Sequence, residues 1–438
     1  MATSGVCSLA LVIGAVTLFA QTPPPSKPSP QPYVEEDKPP LSRNPIIETG
    51  SEGHHLLGDF GGQRTRWAER GVHFGAGYIA ESLGTISGGT RRGNAFGGLG
   101  QFQLELDLGK LVGWQRGYFR VSSLWTHGSS PSGRNVGDEL IVSNIDAYDS
   151  FRLYELWFEQ GFCNDRLWLR AGNLLADTEF GTSEYGGLFL NSGFGWPAFI
   201  SANTLNTGPA FNVPALGFRV WYEANEHWHF AAGVYDGDTF DSTSGDPHVN
   251  PNGLHFHLDS NQGVFVIGEA VYHPNRGPKT TGLPGAYRAG IWQHNKNQIG
   301  QGATATPNQT YGLYFGANQL VWREPGQKKG ENQGLGLFFR SGGSPADRAK
   351  YEYVIDGGFN YAGLIPGRDD DQFGVGIVFA KHSKHLDTDH EMVIEASYRM
   401  QLKPWWIVQP DVQWIHHPSG NNSTPDAWLV GLRTSITF

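Results

Sequence analysis

The sequence contains no run of 18 or more apolar residues, the length a membrane-crossing helix requires. With a mean hydropathy of −0.37, this excludes a polytopic helical membrane protein. Cysteine is equally scarce, with two in 438 residues. Cys7 lies in a segment read below as a removable leader, which leaves Cys163 alone in the turn-like stretch Gly161-Phe162-Cys163-Asn164-Asp165 and excludes a disulfide framework. Basic runs are missing too: 32 Lys and Arg stand against 42 Asp and Glu, a net charge of −10 spread along the chain. Nucleic-acid binding, which needs a concentrated positive footprint, is therefore not expected. No Gly-x-Ser-x-Gly occurs and no nucleophile–base dyad stands out, so the sequence does not read as an enzyme.

What the chain does contain is glycine (60), aromatic residues (13%, with 14 Trp) and alternation with a period of two. In Trp428–Phe438, Trp428, Val430, Leu432, Thr434, Ile436 and Phe438 fall on one side, and Gly431, Arg433, Ser435 and Thr437 on the other. Only a β-strand separates two such sets, because successive side chains point to opposite faces. Gln101–Leu108 repeats the pattern, with Phe102, Leu104, Leu106 and Leu108 opposite Gln101, Gln103, Glu105 and Asp107. Similar stretches predict strands near 72–83, 99–108, 117–127, 151–160, 166–172, 216–224, 228–236 and 262–272. They continue near 285–292, 309–321, 333–340, 352–362, 372–380, 389–402, 405–415 and 427–438. The expected fold is all-β: a transmembrane antiparallel β-barrel of about 16 strands. Alternating lipid-facing and lumen-facing residues reconcile a low mean hydropathy with a membrane location, since closure pairs every backbone group without water.

The N-terminal region reads differently. Residues 1–20 carry no charge, have an apolar core from Leu9 to Phe19, and are expected to be a secretory signal peptide. Residues 21–52 are Pro-rich and predict a disordered, extended spacer. Residues 53–71 predict a short N-terminal helix that Gly71 stops. The barrel is assigned to 72–438. With both termini on the periplasmic side, the long connections 128–150, 173–215 and 237–261 are external.

Several ordered stretches resemble the carbohydrate-selective porins of the OprB family. They are Leu56-Leu57-Gly58-Asp59-Phe60-Gly61-Gly62 followed by Arg64 and Arg66, Ser87–Gly93, Lys110–Trp114, Val142–Ala147, Arg152–Gln160, Leu169–Asn173 and Phe189–Pro197. The resemblance implies a sixteen-stranded outer-membrane barrel passing sugars by facilitated diffusion.

A neutral, hydroxyl-rich solute calls for paired donors and acceptors together with flat aromatic faces. Alternation places Glu105, Asp107, Arg120, Glu155, Glu159, Trp168, Arg170, Arg219, Glu269, Arg288, Glu395, Arg399 and Arg433 on the lumen side. The 173–215 connection is expected to fold inward as a constriction. The candidate eyelet is Arg170, Glu155, Asp177, Glu179 and Trp196, with Trp168, Glu159 and Arg120 beside it. The bland reading makes Glu155, Glu159 and Arg170 a salt-bridge ladder in the wall, with Trp196 packing the loop. His255 and His257 share one side of an extended segment and would need Asp259 as a third metal ligand; no metal or other cofactor is assigned. The expected partners are permeating sugars, outer-membrane lipid, the barrel-assembly machinery through the Phe438 strand, and a second copy of the chain. The competing readings are a general or ion-selective pore, a barrel lipase or protease, and an adhesin.

Overall fold

A computed structural model describes residues 55–242, 245–276, 282–296, 309–325 and 333–438. The leader and the Pro-rich spacer lie outside these residues. Sixteen strands follow one another: β1 (Val72–Ser87), β2 (Gly93–Asp107), β3 (Gly117–Gly128), β4 (Ser150–Phe162), β5 (Leu167–Leu174), β6 (Ala215–Glu223), β7 (Trp228–Asp236) and β8 (Val264–Tyr272). The second half comprises β9 (Gly285–His294), β10 (Thr310–Arg323), β11 (Gly334–Gly343), β12 (Tyr351–Ala362), β13 (Gln372–His382), β14 (His390–Lys403), β15 (Trp406–His416) and β16 (Ala427–Thr437). Each pairs antiparallel with its sequence neighbours, and β1 pairs with β16, so the sheet is a closed barrel. At the seam Gly77 faces Thr437 and Glu81 faces Arg433, and the Phe438 N–H donates to the Ala76 carbonyl at 2.8 Å. The expected strands are all present. Most run longer than expected, because polar residues at the strand ends still complete the ladder after the apolar alternation has faded.

The outer surface follows from the alternation. In β2, Phe96 and Phe102 are exposed while Gln101, Gln103 and Glu105 are buried; in β16, Trp428, Val430 and Leu432 are exposed while Leu429 and Arg433 are buried. Ile291, Leu313, Phe315, Leu337, Phe339, Ile355 and Ile377 continue the apolar band around the barrel. At one end of it Trp414 lies 6.2 Å from Trp428, and at the other Trp228 lies 5.0 Å from Tyr272, the paired aromatic girdles of a membrane barrel. No helix among the described residues is long and apolar enough to cross a membrane.

The N-terminal helix is shorter than expected. The α1 helix covers only Gln63–Glu69, because Gly58, Phe60, Gly61 and Gly62 all have positive φ, which turns the chain repeatedly before a helix can start. Arg64 then ties α1 to the barrel end, donating to Phe438 O at 3.0 Å and Phe74 O at 2.9 Å. Leu108 also leaves the strand assigned to it. Asp107 Oδ1 accepts from the Gly109 and Lys110 N–H groups and starts α2 (Leu108–Val112). Asp107 is thus a helix cap, not a lumen residue. The long connections 129–149, 175–214 and 237–263 all leave the end opposite to α1 and Phe438, the external end by the usual barrel asymmetry.

Replacing Ile377, at the centre of β13 on the outer face, by Arg should lower stability in lipid vesicles by about 2–4 kcal/mol. Urea unfolding followed by gel mobility measures it, and an unchanged midpoint would remove Ile377 from contact with lipid.

Candidate functional site

The interior is organised by two segments that leave the wall and return to it. The first, 175–214, contacts inward-facing residues all round the barrel. Glu179 meets Arg170 on β5 and Arg219 on β6. The Gly181 N–H donates to Glu269 on β8 at 2.8 Å, and the Leu190 and Asn191 N–H groups donate to Glu395 on β14 at 2.5 and 2.9 Å. On β15, Gln409 Nε2 donates to Leu188 O at 2.7 Å, and Gln413 Oε1 accepts from Asn191 Nδ2 at 3.2 Å. One segment reaches inward side chains on strands this far apart only by crossing the lumen. The second, within 129–149, is held by Glu391, which accepts from the Glu139 and Leu140 N–H groups at 2.9 and 2.8 Å. It is held also by Glu81, which accepts from Ser143 Oγ and from Arg433.

The first segment has two unlike sides. Its apolar side packs against β9–β13, where glycine leaves room on the inner wall. A Cβ at Gly336 would meet Tyr185 at 2.3 Å, at Gly374 Leu188 at 2.7 Å, at Gly376 Phe194 at 2.6 Å, and at Gly342 Phe199 at 2.6 Å. Arg340 on β11 clamps this side. It donates to the carbonyls of Gly181, Gly195, Gly193 and Phe194 at 2.7–3.2 Å, while Asp356 on β12 accepts from its Nε at 3.0 Å.

The polar side faces β2–β6, where seven charged groups interlock. Glu159 Oε1 receives Arg170 at 3.0 Å and Arg219 at 2.7 Å. Glu179 receives the same pair through both oxygens, each at 2.6 Å. Arg120 reaches Glu155 at 3.2 Å, Glu105 at 3.4 Å and Gln103 Oε1 at 2.5 Å. Trp157 links the two groups, with the Arg170 guanidinium 4.1 Å from its ring centroid and its Nε1 donating to Glu155 at 3.1 Å. These side chains are only 0–8% exposed, so desolvation sharpens each attraction and makes any unpaired charge costly. For Glu179, burial raises the carboxyl pKa, but Arg219 and Arg170 outweigh it and hold the group below its ordinary value.

Of the expected eyelet, Arg170, Glu159 and Glu179 come together in one cluster, with Arg120 and Glu155 beside it. Three residues do not join. Trp168 packs against Tyr118 at 5.9 Å and donates to Asp165 O, one rung nearer the short-turn end. Trp196 donates to Thr207 O at 2.8 Å and meets Phe265 edge-on at 6.5 Å, so it packs the inner segment down. Asp177 accepts from the Phe211 N–H at 2.8 Å and fastens the segment's two arms; burial pushes its carboxyl up to about 7. His255 and His257 do not converge with Asp259 either: His257 approaches it at 3.9 Å, while His255 turns to Asp241 at 3.6 Å.

Sequence reasoning missed Trp157, although it shares the alternation of Glu155 and Glu159. It also missed Arg340, whose single guanidinium inside an apolar strand was the available signal. Arg152 had no signal. The register shifts between Val121 and Ser123, leaving Tyr154 and Glu155 both buried and Arg152 inward, and such a bulge breaks the period of two.

A family description, "Carbohydrate-selective porin, OprB family", matches residues 91–438. The chain belongs to that family. This OprB-family chain is 23% identical over 432 residues to Porin B of Pseudomonas aeruginosa, covering 87% of itself and 91% of the relative. Its fold is that of the high-pH structure of Pseudomonas putida OprB, with a TM-score of 0.78 and 20% identity over 89% of this chain and all of that one. The low-pH structure of the same protein matches with a TM-score of 0.58 at the same identity and coverage. The barrel, its lipid-facing band and the family together make this porin an outer-membrane channel for sugars.

Arg340→Met should destabilise the porin by about 3–5 kcal/mol by leaving Asp356 charged and unpaired, and adding Asp356→Asn should recover much of that; denaturant midpoints of both variants check it. Asp177 gives a pH dependence. Its folded pKa lies above its ordinary value, so the folded state holds the proton more tightly and stability falls as pH rises from about 4 to 7. Asp177→Asn should flatten that slope between pH 5 and pH 8, seen as a smaller difference in melting temperature. An equal slope in the variant would assign the proton elsewhere.

Proposed function

We propose that small neutral sugars pass a lumen narrowed by residues 175–214, and that the Arg170–Glu159–Arg219–Glu179 lattice with Arg120 and Glu155 sets the width and polarity of that narrowing. The supporting observation is the near-cancellation of charge: three guanidiniums, Arg120, Arg170 and Arg219, against four carboxylates, Glu105, Glu155, Glu159 and Glu179, each bonded to the opposite sign. Such a lattice gives little net field to attract an ion. Its side chains are bonded to one another and 0–8% exposed, so the lattice acts by holding the width and polarity of the passage. Glu184, exposed, and Tyr185, half-buried, add a carboxylate and a ring face on the same segment. Sites of this kind are weak and several, as flow requires.

The porin is a channel. It performs no catalysis; residues 1–20 direct export, 21–52 form a spacer, 53–71 dock at the periplasmic mouth, and 72–438 are the barrel. The strand ending at Phe438 serves recognition by the assembly machinery, and barrels associate as homo-oligomers.

Liposome swelling with glucose, run beside single-channel conductance in salt, tests the assignment. Arg170→Ala and Glu155→Ala should each lower the ratio of glucose uptake to ionic conductance several-fold. An unchanged ratio in both would leave these side chains as wall-filling ion pairs.

A further inference from the structure

We propose that His390, His416 and His417 form a binding site for a transition-metal cation of the zinc class on the outer face of the barrel, at its external rim. The three imidazoles come from the start of β14, the end of β15 and the first residue beyond it, and their candidate donor atoms all lie within 4.8 Å of one another. Strand pairing brings them together: His390 faces Lys381, and Met392, on the same face as His390, faces His416. Phe379 stacks on His390 at 5.0 Å, and Trp414 lies 5.3 Å from His416, which sets the cluster at the level of the aromatic girdle.

Three features point to a ligand beyond mere proximity. First, two imidazoles are already oriented. Nδ1 of His390 lies 2.8 Å from Asp389 Oδ2, and Nδ1 of His416 lies 2.8 Å from Asp426 Oδ2. A carboxylate that accepts from Nδ1–H fixes the tautomer and leaves Nε2 as a lone-pair donor, the arrangement that orients metal-binding histidines. Second, His417 adopts a left-handed backbone, φ 50° and ψ 60°. In an extended strand it would point away from His416. Here its ring stacks on His416 at 3.7 Å and lies 4.9 Å from His390, and its N–H is held by Asp426 at 3.2 Å. Third, Nδ1 of His417 is shut off from solvent and has no hydrogen-bond partner among the described residues.

The donor set selects the cation. Imidazole nitrogens suit Zn²⁺, Cu²⁺ and Ni²⁺, whereas Ca²⁺ and Mg²⁺ require oxygen cages. Tetrahedral Zn–N bonds of about 2.0–2.1 Å place nitrogens about 3.3 Å apart, within reach of ring rotations from the present separation. Water completes the fourth position. A bound cation would pin the connection 417–426 to β14. That connection already touches the second inner segment, since Ser419 Oγ donates to Gly137 O at 2.6 Å and the Ser419 N–H donates to Glu391 at 2.5 Å.

The test uses the full chain in detergent, prepared without a histidine tag, stripped with chelator and titrated with Zn²⁺ by calorimetry, with bound zinc counted by elemental analysis after dialysis. One equivalent per chain is expected. His416→Gln/His417→Gln should lose it, His255→Gln/His257→Gln should keep it, and Asp426→Asn should bind about 10-fold more weakly. Gel mobility before and after heating, with unchanged glucose swelling, shows that each variant is folded; His390→Gln serves should the double variant fail to fold. Co²⁺ should give the visible absorption of a nitrogen-ligated tetrahedral ion in the original protein. Absence of zinc binding there, or equal binding after loss of His416 and His417 or of His390, would overturn the site.

Discussion

In hydrocarbon, a peptide group without a hydrogen-bond partner costs several kcal/mol, so a sheet that crosses a membrane must have no edge. The pairing of β1 with β16 meets that requirement, and the rest of the molecule is arranged around it. Leu56 N–H donates to Thr437 O at 2.8 Å, and Arg64 reaches Phe438 O, so the segment before β1 braces the seam at one end. Arg433 on β16 and Glu81 on β1 pair across the same seam from within. The outer face of the wall then needs only apolar bulk, which frees the inner face to carry charge and glycine.

Closure creates a second problem, because a barrel of this size encloses space that side chains cannot fill. The chain fills it with two of its own connections. Their backbone N–H groups, far from any strand, are bonded by Glu269, Glu391 and Glu395, and their carbonyls by Arg340, Gln409 and Gln413. Buried charge in this wall therefore does two jobs. On β8, β11 and β14 it stands in for the missing ladder partners of the inner segments. On β2–β6 it pairs with itself and with Glu179, and there it shapes the conducting space.

Much of the wall was legible beforehand. Gln101, Gln103 and Glu105 on one side and Phe102 and Leu104 on the other leave one solution, since a period of two exists only in strands, and the same rhythm placed Arg170, Glu159 and Arg219 inward. The interior segments were legible only as lengths. Asp177 and Trp196 carry the residue types of a sugar site, yet they serve packing, because the Phe211 N–H and the Thr207 carbonyl reach them first. Arg152 was hidden by a bulge, and the His390–His416–His417 cluster by the distance in sequence between β14 and the end of β15.

The amino-acid sequence by itself determined the strands, their number, and which face of each meets lipid, because side-chain direction along an extended chain depends only on counting by two. Tertiary structure decided which inward charges meet, which carboxylates bond backbone, and where three histidines converge. Those outcomes depend on strand register, on one bulge, and on the path of a connection across the lumen, and none of these is a property of a single stretch of chain.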